Sequence, residues 1–279
     1  MIELNTYIRE ISMSTMLLDE NLNNSFVSGN KIRKLKGILS VKDNLQGLLT
    51  FGAPYSSHCL ATAYYGKLLQ VPVKLIILTD TKVESHDYPH LKLSERLGAD
   101  LIYCTKQMAY QFIEEKRKEY NTFYWIPGGG HTMEAAKQYE YLFEDLFKKN
   151  SELRSKVKHI ILPFGTGTTA LGIYRGLLNA SCDVEVIGVS VSRNKGACEK
   201  ALKELDGGVD YSQLRIIDDY AGKYEYRTEA TEEARKKFFV NTGVLVDPIY
   251  NAKSIECFYR HNLKNTLIIN TGGMLNNFL

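Results

Sequence analysis

Short runs of Val, Ile, Leu and aromatic residues recur along the chain at spacings too wide for hairpins. They are GLLTFG at 47–52, VKLIIL at 73–78, DLIYC at 100–104 and FYWIP at 123–127, then HIILPFG at 159–165, VEVIGVS at 184–190, LRIID at 214–218 and TLIINT at 266–271. Runs that are apolar on both faces are strands of buried, parallel sheets. Between them, 57–70, 87–97, 107–119, 132–149, 168–179 and 228–240 are amphipathic and long enough for crossover helices. Strand alternating with helix specifies an α/β fold with right-handed crossovers. A chain of 279 residues allows one or two such units. No low-complexity linker separates them, so a division must come from chain crossings. The expected break lies near residue 43, with a return after the glycine triplet at 128–130, which inserts a smaller unit (44–130) into a larger one (1–43 and 131–279).

Charge and composition exclude several classes. The 35 basic and 32 acidic residues leave a net charge of +3, and the basic residues are dispersed, so no nucleic-acid partner is implied. No run reaches the roughly 18 apolar residues of a membrane span. The opening MIELNTYIREIS is charged where a signal peptide is apolar, so a cytoplasmic protein is expected. Cys59, Cys104, Cys182, Cys198 and Cys257 are isolated from one another, which suggests reduced thiols and no structural metal.

Three Gly- or Ser-containing turns follow expected strands and precede expected helices: GAPYSSH at 52–58, PGGGHT at 127–132 and FGTGTT at 164–169. In open α/β sheets this is where ligands sit, because helix N-termini offer free N–H groups to anions. FGTGTT is the strongest of the three. Gly165 and Gly167 allow close backbone approach, and Thr166, Thr168 and Thr169 add hydroxyl donors for phosphate. It matches neither GxGxxG, since Ala170 takes the third glycine position, nor a Walker loop, which needs a lysine. In SGNKIRKLKG at 28–37, Lys31 falls in the first turn of a helix, the end that disfavours cations. A solvated lysine is the ordinary reading. Beside a phosphate site, a lysine held near other cations can lose its proton and form a Schiff base. VDPIYNAKS at 246–254 reads as a short strand, an Asp-Pro turn and a helix opened by Tyr250, and INTGGM at 269–274 ends a strand in a tight turn at Thr271.

In this order the motifs resemble the 1-aminocyclopropane-1-carboxylate deaminase and D-cysteine desulfhydrase family of pyridoxal-phosphate enzymes, which has the tryptophan-synthase-β-like fold type II. The resemblance runs from about residue 17 to the end of the chain. LLDENLNNSFVSGNKIRKL is similar to the family's lysine loop, which implies Lys31 as the Schiff-base residue and Lys34 as a phosphate contact. TFGAPYSSH resembles the family's Ser-Asn-His segment. It implies that Ser56, Ser57 and His58 bind substrate and that Ser56 assists proton transfer. The resemblance further implies a phosphate loop at Gly165–Thr169, Tyr224 of DDYAGKYEY over the active site, Tyr250 beside the cofactor ring and Thr271 on the pyridine nitrogen. Two open parallel-sheet domains with the cofactor in the cleft between them, and a homodimer, are implied as well.

Three departures accompany the likeness. Ser57 replaces the asparagine that contacts the cofactor's 3-oxygen, the LDEN stretch lacks the basic–acidic pair that precedes the lysine loop, and Asn251 stands where cyclopropane deaminases carry a carboxylate. A neutral hydroxyl at the pyridine nitrogen weakens the electron sink, which in this fold goes with elimination and replacement at the β-carbon rather than transamination. The implied reaction is α,β-elimination from a small amino acid through an external aldimine, releasing ammonia and a keto acid. The alternatives are β-replacement, racemisation or another specialised biosynthetic step on an amino acid, and a non-catalytic cofactor- or metabolite-binding relative.

Overall fold

The computed structural model describes residues 2–208, 210–222 and 227–279. A hairpin of β1 (Ile8–Ser12) and β2 (Thr15–Asp19) leads into α1 (Asn30–Leu39). There follow β3 (Leu48–Gly52), α2 (Ser57–Leu69), β4 (Val73–Leu78), α3 (Pro89–Arg96), β5 (Ala99–Cys104), α4 (Ala109–Glu119) and the short β6 (Tyr124–Trp125). The chain continues with α5 (Met133–Lys149), α6 (Ser151–Lys156), β7 (His159–Phe164), α7 (Thr168–Asn179), β8 (Glu185–Ser190) and α8 (Lys195–Leu205). It ends with β9 (Leu214–Ile217), α9 (Glu229–Thr242), α10 (Asn251–Arg260) and β10 (Thr266–Asn270).

The strands form two sheets. One has four strands in the order β5-β4-β3-β6, all parallel; the other has six in the order β1-β2-β10-β7-β8-β9, parallel except for the β1–β2 pair. Strand β2 runs beside β10, so the two ends of the chain share the larger sheet. The hairpin was not foreseen. Its outer strand carries Arg9 and Glu10 on a half-exposed edge, so it lacks the apolar signature of a buried strand. A further correction concerns the short strand expected ahead of the Asp247-Pro248 turn: Val244 and Val246 are buried but stand in no strand.

Packing explains why the central strands are so apolar. Ile160, Leu162 and Phe164 of β7 face the helices α5 and α7, whereas Ile161 joins Ile187, Ile255 and Ile268 on the opposite face. Each such residue, fully buried, contributes about 1.5–3 kcal/mol of transfer free energy. Helices α5 and α7 approach closely because Gly172 has no side chain: a Cβ there would lie 2.2 Å from Ala136 O. Helix α1 packs its Ile32, Leu35 and Ile38 into the core of the four-stranded sheet and also touches Ala135 of α5, so it links the two layers. All five cysteines are buried and free. No helix among the described residues is long and apolar enough to cross a membrane.

Candidate active site

The carboxyl ends of both sheets converge on one cavity of about 870 Å³. Phe51 and Gly52 at the end of β3 and Leu78 of β4 contribute one side; Phe164, Gly165 and Thr271, from the ends of β7 and β10, contribute the other. Lys31, Lys34, Lys106 and Arg193 are in its wall, and no aspartate or glutamate is among the described lining residues. A cavity with that balance favours anions.

Lys31 is placed by a buried network in which the acid of the LDEN stretch takes part after all. Glu20, completely buried, pairs with Arg33 Nε at 2.8 Å and accepts a bond from the Tyr139 hydroxyl at 3.1 Å. The basic–acidic pair that looked lost is therefore made across the lysine loop, with its base thirteen residues beyond its acid. Asn23 bonds Glu20 and donates to Gly29 O at 3.0 Å, while Gly29 N donates to Glu20 O at 2.8 Å. Asn30 N donates to Thr271 O at 2.8 Å, which joins this loop to the end of β10. The two segments fit because both are glycine: a Cβ on Gly272, whose φ is +95°, would lie 2.4 Å from Gly29 Cα.

Burial pushes the Lys31 amine down to about 8, even though a hydrogen bond with Lys34 favours its charged form. Lys34 lies well below the ordinary lysine range, first because it is buried and then because Lys31 is beside it. Its Nζ donates to Gly129 O at 3.2 Å and reaches Thr166 Oγ1 at 3.5 Å. Helix α7 begins at Gly167 with no side-chain cap, so its first N–H groups remain available next to these amines. Asn30 Nδ2 donates to Thr169 Oγ1 at 3.2 Å, tying the lysine loop to the same turn.

On the side of the four-stranded sheet, Ser56 caps α2, its Oγ accepting from Cys59 N at 3.2 Å, and Ser57 opens the helix. The tautomer of His58 follows from its neighbour. Thr50 donates its single hydroxyl proton to Ile126 O at 2.8 Å, so at 2.9 Å it can only accept from His58 Nε2. The neutral ring then carries its proton on Nε2 and leaves Nδ1 as a buried acceptor with no partner among the described residues. Burial, and after it the charges of Lys31 and Lys34, keep this ring far below the usual histidine range and therefore neutral.

Thr271 is supported from beneath. Asn251 Oδ1 accepts from Thr271 N at 2.9 Å and from Thr271 Oγ1 at 3.3 Å, while Asn251 Nδ2 donates to Asp247 and to Gly272 O. Asp247 also accepts from Ile249 N at 3.0 Å and Tyr250 N at 2.8 Å, and burial raises its carboxyl to about 6. Asn251 is thus a buried support for Thr271, on α10 directly after Tyr250.

Of the residues singled out from sequence, Lys31, Lys34, Ser56, Ser57, His58, Gly165, Thr166, Gly167, Thr169, Tyr250 and Thr271 all line this cavity. Thr168 does not: its side chain is fully buried, bonded to His131 Nδ1 and Thr166 at 3.2 Å each. Tyr224 lies outside the described residues. Sequence reasoning passed over Asn30 and Arg193 as wall residues, while Gly129 falls in the PGGGHT turn it had marked. Arg193 had a usable signal, since VSVSRN follows a buried strand just as FGTGTT does.

A family model for pyridoxal-phosphate dependent enzymes matches residues 1–272. The chain belongs to this family. Among the relatives of this pyridoxal-phosphate dependent enzyme is the D-cysteine desulfhydrase of Salmonella paratyphi B, 26% identical over 249 residues that span 82% of this chain and 75% of the relative. The mitochondrial bifunctional D-cysteine desulfhydrase/1-aminocyclopropane-1-carboxylate deaminase of Arabidopsis thaliana is 28% identical over 284 residues, spanning 89% of this chain and 69% of the relative. The crystal structure of an ACC deaminase homologue superposes with a TM-score of 0.80 at 22% identity, covering 99% of this chain and 91% of that one. The fold is that of fold type II pyridoxal-phosphate enzymes.

The residues present fit the cofactor. Gly165 and Gly167 put no side chain into the cavity wall at this turn. The uncapped start of α7 and the adjacent Lys34 amine suit a phosphate, Lys31 offers an amine in the same cavity, and Thr271 presents a hydroxyl at its wall.

Proposed function

We propose that the enzyme performs α,β-elimination on a small amino acid, in the manner of a D-cysteine desulfhydrase, releasing ammonia and a keto acid. One observation carries this reading: in a cavity with no acid among its described lining residues, two paired lysine amines lie with an uncapped helix N-terminus and a separate Ser-Ser-His helix start, so an anionic cofactor and an anionic substrate each have a berth.

When bound, pyridoxal phosphate supplies a carbonyl carbon that joins the substrate amine and an electron-withdrawing ring that loosens bonds at the α-carbon. Lys31 would hold the cofactor, and its free amine would accept the α-proton on Nζ. With its amine near 8, a useful fraction is neutral at physiological pH. Lys34 and the Gly165–Thr169 turn would hold the phosphate. Ser57 and the first turn of α2 bind the substrate carboxylate, and Ser56, which caps that helix through its lone pairs, keeps its proton to donate. Tyr250 would flank the ring and Thr271 would give the pyridine nitrogen an uncharged partner; Tyr224, outside the described residues, keeps a proton-transfer role on the sequence alone.

Asn251 favours elimination over cyclopropane ring opening. It is 1% exposed and fully engaged with Thr271, Asp247 and Gly272, so no carboxylate reaches substrate from that position. This reading includes a larger unit (1–43 and 131–279) and a smaller one (44–130), with α1 bridging them as its packing suggests. It also includes a homodimer working in the cytoplasm. The test is product analysis with D-cysteine: sulfide, ammonia and pyruvate in equal amounts support the proposal. A new amino acid formed without ammonia when a second thiol is present contradicts it.

A further inference from the structure

Phe164 of β7 pairs with Ser190 of β8, so the turn after β8 leaves the sheet beside the Gly165–Thr169 turn. That turn is fixed on every side. Ser190 Oγ donates to Arg193 O at 2.6 Å and accepts from Arg193 N at 3.1 Å; Val191 N donates to Phe164 O at 3.1 Å. Asn194 then caps α8, its Oδ1 accepting from Ala197 N at 2.9 Å. Beneath the turn, Lys253 of α10, only 2% exposed, donates from Nζ to Val191 O at 2.6 Å. Removing an ammonium from water is costly, so a buried lysine committed to one main-chain carbonyl marks a turn whose position matters.

What the turn presents is Arg193. Its side chain lines the cavity, and its guanidinium has no ion-pair or hydrogen-bond partner among the described residues. Its charge is felt near the start of α7. His131, whose Nδ1 is 3.2 Å from Thr168 Oγ1, is pushed down to about 4 by burial and then by the charges of Lys34 and Arg193, with Glu204 opposing them more weakly. Two cations therefore act on one histidine beside the uncapped helix start, and one of them, Lys34, is already engaged with Gly129 and Thr166.

We propose that Arg193 is a second side-chain cation for the phosphate group of the cofactor, completing with Lys34 and the first turn of α7 a cradle for the dianion. The proposal rests on the pyridoxal-phosphate reading of the cavity. A guanidinium supplies a planar fork that meets two phosphate oxygens at once, which a lysine cannot do.

The test is a fluorescence titration of the full chain, stripped of cofactor, with pyridoxal phosphate and separately with pyridoxal, for wild type, Arg193→Gln and Arg193→Lys. Arg193→Gln is expected to weaken pyridoxal phosphate about tenfold and leave pyridoxal unchanged, with Arg193→Lys between the two. Inorganic phosphate should compete less well against pyridoxal phosphate in the variant than in wild type. An equal loss for both ligands would assign Arg193 to the shape of the turn, and unchanged cofactor affinity with a raised KM would assign it to the substrate. Either outcome overturns the proposal. A wild-type chain that binds neither ligand would instead overturn the reading of the cavity, and that result is distinct from the others.

Discussion

On the six-stranded side of the cavity, polar side chains are held by other buried side chains: Thr271 by Asn251, Asn251 by Asp247, and the Gly29–Lys31 loop by Glu20, Arg33 and Asn23. On the four-stranded side, Ser57 makes no side-chain hydrogen bond and His58 Nδ1 has no partner among the described residues. Both edges arise from the same geometry, helix starts at the carboxyl ends of parallel strands, yet around the lysine loop and Thr271 the six-stranded edge is satisfied internally. Its open donors are at the α7 start and Arg193, where a phosphate would sit, while the four-stranded edge keeps unused groups at Ser57 and His58. A satisfied edge is stiff and suits a group that stays bound. An unsatisfied edge suits a group exchanged at each turnover, because the bonds it lacks are completed by the ligand.

The contrast can be broken most severely at Lys31, the one group that serves both sides. Lys31→Ala should lower kcat by roughly 10²–10⁴-fold in a keto-acid release assay. The wild-type amine should show its depressed value directly. The neutral form is the one that attacks a carbonyl, so cofactor capture by the stripped protein should speed about tenfold per pH unit below 8 and level off above it. A rate that goes on rising tenfold per unit well above pH 8 would show that Lys31 is not depressed.

The next largest effect is expected in the support of the lysine loop. Glu20→Gln leaves Arg33 as an uncompensated buried charge, so unfolding free energy in a urea titration should fall by about 3–5 kcal/mol. At Asn251, Asn251→Leu removes the acceptor of two Thr271 bonds and a donor to Asp247. It should cost about 1–3 kcal/mol and weaken cofactor retention. The smallest effect belongs to the unsatisfied edge. His58→Leu should raise KM for the amino acid roughly tenfold while leaving cofactor affinity unchanged. Loss of cofactor instead would abolish the distinction between the two edges.

Much of this architecture was legible in the sequence because the central strands are buried on both faces and so carry continuous apolar runs. Val73–Leu78, expected at 73–78, is an instance where the element matches the run residue for residue. The hairpin escaped because an edge strand such as Ile8–Ser12 needs no such run. The cavity wall was legible where glycine and hydroxyl residues cluster after strands. It was not legible where a residue acts from a distance: Glu20 meets Arg33 and Tyr139 only once α1 and α5 pack, and the proton of His58 is fixed by Thr50, which local sequence does not connect to it. Asn251 looked like a lost catalytic carboxylate from sequence, whereas its surroundings show a buried brace.

The most direct test of the central claim is the absorbance spectrum of the purified protein loaded with pyridoxal phosphate and then titrated with D- and L-forms of cysteine and other small amino acids. The account predicts a band at the visible edge from the cofactor joined to Lys31. That band should be perturbed by one enantiomer of a small amino acid with a β-leaving group and should return as keto acid accumulates. A protein that takes up cofactor but whose band is moved by none of these amino acids would contradict it.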